Sequence, residues 1–113
     1  MTNPMRGELS LNLGGVEYKA RLTLNAIMEI EQSTGTGIIK LATDMGEGNL
    51  SVTNLIAVLL PALRGGGNDF DVKEVMKIAE SAGILPVTKA VAELLAQSLS
   101  DSDEGEDEKK PAA

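Results

Sequence analysis

Residues 8–22 read Glu-Leu-Ser-Leu-Asn-Leu-Gly-Gly-Val-Glu-Tyr-Lys-Ala-Arg-Leu, and this stretch decides the fold. Leu9, Leu11 and Leu13 alternate with polar residues, and Val16, Tyr18, Ala20 and Leu22 do the same beyond Gly14 and Gly15. Period-two alternation places one set of side chains on each face of a strand. Two adjacent glycines supply the positive φ angles that a two-residue turn demands, so the spacing predicts a β-hairpin over about residues 6–22. A lone hairpin is marginal in water. The rest of the chain must therefore cover its apolar face.

The pattern changes to helical spacing directly afterwards. Thr23 is placed to cap a helix over about 24–34, with Leu24, Ile27, Met28 and Glu31 at helical spacing and Gly35 as its stop. Ile38, Leu41, Ala42 and Met45 predict a short helix over 38–45. Ser51 precedes the strongest apolar run, Val52, Leu55, Ile56, Leu59, Leu60 and Leu63, read as a helix over 52–64 that is apolar nearly all round. Pro61 lies within it and predicts a kink or an end near Leu60. Gly65, Gly66 and Gly67 form a firmer stop. Asp71 and Glu74 have capping-box spacing for a helix over 72–82, with Val72, Val75, Met76 and Ala79 inward and Gly83 after it. Pro86 suits the first turn of a last helix over 86–99. The predicted fold class is α+β: an N-terminal hairpin and a bundle of four or five short helices in one domain over 1–99. Residues 100–113 contain no large apolar side chain, so a disordered acidic tail is expected there.

Composition narrows the chemistry. The 113 residues contain no histidine and no cysteine, which removes the commonest general base, the commonest zinc ligands and the thiol nucleophile together. Neither catalysis, nor a cofactor, nor a metal is expected. Glu29 and Glu31 are two apart on a helix, point to different faces, and are read as surface charge. Gly35-Thr36-Gly37 has Lys40 where a third dinucleotide-motif glycine would sit, and Gly65–Gly67 lacks a following Lys-Ser or Lys-Thr pair, so both are read as turns. The run from Asp101 to Glu106 has its glycine one place early for a calcium loop, and Ala112 stands where the closing glutamate belongs.

The formal net charge is −7, of which −4 lies in residues 101–113, where six acids face Lys109 and Lys110. Tyr18 and Phe70 are the only aromatics. Nucleic-acid binding requires positive charge and, for single strands, stacking platforms, so no nucleic-acid partner is expected. No stretch approaches the roughly 18 apolar residues of a membrane span, and the first residues lack the apolar segment of a signal peptide, so no membrane partner and a cytoplasmic location are expected.

The segment from Gly7 to Tyr18, continuing through Arg21-Leu22-Thr23-Leu24 into Ile27, Glu29 and Glu31, resembles a family of phage tail operons and gene transfer agents. The likeness extends more loosely through Gly35, Leu50-Ser51 and Leu63-Arg64-Gly65, and covers much of residues 7–99. That family is labelled tail assembly chaperone or tail tube protein. The resemblance implies a chaperone that binds the tape measure protein in a bacterial host cell, with the tail tube protein and self-association as further partners; the alternative is a structural tail tube or connector subunit. A small regulatory or toxin-neutralising protein would share the acidity and the missing catalytic groups.

A chaperone for a helical client needs an apolar groove or helix face. Two helices qualify. The candidate partner-binding residues are Leu55, Leu59 and Leu63 on the third helix and Val87, Val91, Leu94 and Leu95 on the last, and ordinary core packing accounts for the same spacing. Removing residues 101–113 is expected to leave unfolding free energy unchanged to within about 0.5 kcal/mol in a denaturant titration.

Overall fold

The computed structural model describes the backbone of residues 8–112 and the side chains of residues 8–99. The hairpin forms where the alternation places it. Strands β1 (Glu8–Leu13) and β2 (Val16–Arg21) pair antiparallel, with Leu13 opposite Val16, Leu11 opposite Tyr18 and Leu9 opposite Ala20. Gly14 and Gly15 have φ values of 67° and 86°, as the two-residue turn requires. The Asn12 side chain accepts from the Gly15 N–H at 3.1 Å and stiffens the turn. Leu11, Leu13 and Ala20 are buried on one face. Residues 6 and 7 of the expected hairpin lie outside the described residues.

Five helices follow: α1 (Leu24–Thr34), α2 (Ile38–Gly46), α3 (Val52–Gly65), α4 (Val72–Ala82) and α5 (Ile84–Ala112). Their starts obey the cap chemistry. Thr23 Oγ1 accepts from the Ala26 N–H, Ser51 Oγ from the Asn54 N–H, and Asp71 and Glu74 complete both halves of a capping box at 2.8 and 2.9 Å. Pro86 is the third residue of α5, where its missing N–H falls among the donors without an intrahelical partner; the Val87 N–H then bonds to the Gly83 carbonyl. The last helix, expected over 86–99, runs in backbone from Ile84 to Ala112; the side chains of residues 100–113, expected as a disordered acidic tail, lie outside the described ones.

Helix α3 is the centre of the molecule. It touches β2, α1, α4 and α5, and buries Leu55, Val58, Leu59, Pro61, Ala62 and Leu63. Of the kink or end near Leu60 that Pro61 predicts, the end does not occur: the helix continues to Gly65. An interior proline costs roughly 3 kcal/mol. Full burial of a leucine stabilises by about 1.5–3 kcal/mol, so Leu59 and Leu63 together offset the loss.

Helix α1 corrects the assigned stripe. Its core contacts are Ala26 and Ile30, while Leu24 and Met28 are more than half exposed. Glu31 is not simply surface charge: its carboxylate accepts from the Ile38 N–H at 2.9 Å, across the Gly35 turn. It thus satisfies a donor at the first turn of α2, whose cap position, Gly37, has no side chain to do so.

The end of α3 is pressed against the hairpin. A Cβ on Gly65 would collide with the Arg21 carbonyl oxygen, and one on Gly66 with the Lys19 carbonyl oxygen. Asn68 reinforces this junction, donating from Nδ2 to the Lys19 oxygen at 2.7 Å and to the Leu63 oxygen at 3.0 Å. Nearby, the rings of Tyr18 and Phe70 meet edge to face with centroids 5.9 Å apart. Gly66→Ala is expected to destabilise by about 1–3 kcal/mol, because backbone lies where the methyl would go. Gly46→Ala, whose methyl would meet nothing within 4 Å, is expected to be neutral or to stabilise by about 0.4–1 kcal/mol. Matched urea titrations compare the two.

Candidate functional site

The seven residues singled out on α3 and α5 are all core residues. Leu59, Leu63 and Val91 have no exposed surface, Val87, Leu94 and Leu95 show 1%, and Leu55 shows 3%. They form one cluster with Leu11, Leu13 and Ala20 of the hairpin, Ile30 of α1, Leu41 of α2 and Val75 of α4. In this conformation their surface is almost wholly withdrawn into the core. The spacing that marks them is the inward face of amphipathic helices, and the physical reason for their burial is the hairpin, whose apolar face α3 and α5 cover.

The accessible apolar surface lies elsewhere on the same elements. Val52 at the start of α3, Met76 on α4 and Ile84 at the start of α5 are each about half exposed. With Ile56, Ala79 and Val87 they line a groove of about 240 Å³ where the three helices converge. Glu80 supplies a carboxylate to its wall. Val87 alone of the seven expected residues borders this groove, as its floor.

Helical spacing puts Val72 and Met76 on the inward face of α4. The structure leaves both about half exposed, because α4 packs at the margin of the bundle and fully buries only Val75. The pairs Val52 with Ile56 and Val72 with Met76 each span four residues, one helical turn. That spacing is the signal available in the sequence, but it does not distinguish a core stripe from an exposed one.

Among the described residues no polar or charged side chain is buried, and no group of three or more acidic side chains is placed to hold a metal ion. Among those residues no helix is long and apolar enough to cross a membrane.

Residues 6–101 match a family model described as phage tail tube protein, GTA-gp10. The chain belongs to this family. No curated protein and no solved structure matches it. The chain is therefore a protein related to phage or gene-transfer-agent tails. Leu59→Glu and Leu94→Glu are expected to abolish cooperative thermal unfolding, since each places a charge in the core. Met76→Glu and Ile84→Glu are expected to retain it, with stability within about 0.5–1 kcal/mol of the parent by denaturant titration.

Proposed function

We propose that this chain is a structural subunit or connector of a phage-like tail, assembled in the bacterial host and acting through protein contact without catalysis. The observation that carries the reading is the family match over residues 6–101, nearly the whole folded part. The half-exposed apolar groove between α3, α4 and α5 supports it, since an accessible apolar concavity is the feature an assembling subunit buries in a neighbour. Tail tube protein and further copies of the chain are the partners this reading implies.

A second reading is a tail assembly chaperone for the tape measure protein. The same groove favours it, because an apolar channel between helices suits the apolar face of an amphipathic helical client. The two readings differ in what the finished particle contains. Quantitative mass spectrometry of purified tails is expected to find the chain at fixed stoichiometry to the major tube protein. Its absence from finished tails, together with solubilisation of the tape measure protein on co-expression, would replace the structural reading with the chaperone one.

A further inference from the structure

The two edges of the hairpin are treated differently by the rest of the fold. In an antiparallel pair closed by a two-residue turn, alternate residues direct their backbone N–H and C=O away from the partner strand. With Leu13 paired to Val16 next to the turn, the outward residues are Glu17, Lys19 and Arg21 on β2, and Glu8, Ser10 and Asn12 on β1. The β2 edge is closed. Gly65 and Gly66 lie against the Arg21 and Lys19 carbonyls, and Asn68 donates to the Lys19 oxygen. The β1 edge is open: among the described residues no hydrogen bond reaches the outward backbone groups of Ser10 or Asn12.

Beside this open edge runs a groove of about 720 Å³, bordered by Ser10 and Asn12 on one side and by Leu85, Pro86, Lys89, Ala90 and Glu93 of α5 on the other. Leu85 is 80% exposed, the most exposed large apolar side chain among the described residues. Among the described residues almost nothing packs over it.

We propose that the β1 edge and the groove beside it bind an extended segment of another protein chain, which adds to the hairpin as a third strand. Backbone complementarity selects the occupant. Donors and acceptors that alternate along a strand edge are matched by another strand, and a helix, whose backbone groups are bonded within itself, cannot pair with them. The α5 wall selects its side chains. Residues of the added strand on the core side meet Leu85, Pro86 and Ala90, with Lys89 and Glu93 on the same wall, and are apolar or small with room for a charged partner; those between them lie beside Ser10 and Asn12 and are polar. A second folded copy pairing through its own β1 is a poorer fit, because α5 would accompany each β1 edge and both helices would be brought to the same side of the joined sheet. The reading as a tail component bears only on whose segment this is, namely a terminal arm or loop of a neighbouring tail subunit. The docking edge itself stands on geometry.

The test uses the full chain and a synthetic peptide, acetyl-Thr-Val-Lys-Val-Glu-Val-Thr-amide, in hydrogen-exchange NMR. Saturating peptide is expected to slow exchange of the Ser10 and Asn12 amides by about tenfold or more. The Leu11 amide, already in the ladder, is expected to change little. A peptide of the same sequence, N-methylated at alternate residues on its pairing edge, is expected not to protect them. Ser10→Pro removes one outward donor and leaves the inner ladder bonds in place, and it is expected to abolish binding of the unmethylated peptide. Leu85→Lys, which alters only an exposed side chain, is expected to weaken binding about tenfold or more and guards against misfolding of the proline variant. Absent protection, equal protection by the methylated peptide, or unchanged binding by Leu85→Lys would overturn the proposal. So would concentration-dependent protection of Ser10 and Asn12 without peptide, which would assign the edge to a second copy. The assay contains no tail component, so its failure leaves the tail reading standing, and absence of the chain from tails leaves the docking edge standing.

Discussion

A two-stranded hairpin has one face that water penalises and too few strands to hide it, and everything else in this molecule follows from how that face is covered. Leu11, Leu13 and Ala20 are buried because α3 lies over β2 and α5 lies over β1. Once two helices are committed to that layer, α1 and α4 flank α3, and α2 lies against α5 and α1. The cluster that results is continuous from the hairpin to α4. It is almost wholly aliphatic, in keeping with a chain that has two aromatic residues.

The closeness of this cover is set by glycine. The last turn of α3 meets the β2 backbone directly, and side chains at Gly65 and Gly66 would push the helix off the sheet. The same contact closes one hairpin edge, since carbonyls that would otherwise face solvent are met by the helix end and by Asn68. One junction therefore does two things: it fixes the depth of the core and makes the two edges of the hairpin unequal.

Much of the architecture was legible from local signals because those signals act locally. The paired glycines, Thr23, Ser51 and the Asp71–Glu74 box impose backbone geometry or satisfy backbone donors within a few residues, so the turn and the starts of α1, α3 and α4 could be read from the sequence. Pro61 does not end α3, because its penalty is local while the burial that outweighs it is tertiary. Leu24, Met28, Val72 and Met76 misled for the reverse reason. Helical spacing says that residues share a face, whereas which face is covered depends on how many neighbours a helix has, and α1 and α4 stand at the margin. The partner-binding residues suffered most from this ambiguity: the apolar runs of α3 and α5 are strong because they are core, and the accessible apolar residues sit one turn away or on a different helix. Glu31, whose service to α2 crosses a turn, has no signature that would separate it from an ordinary surface glutamate.

The contact between Tyr18 and Phe70 also determines what light can report about this protein. With no tryptophan and a single tyrosine, intrinsic ultraviolet emission comes from one ring, seated where β2 meets the segment between α3 and α4. Changes in that signal describe this seam alone, and the apolar groove, the β1 edge and the acidic end of the chain are optically silent. A tryptophan introduced at any of them would be read against an almost dark background.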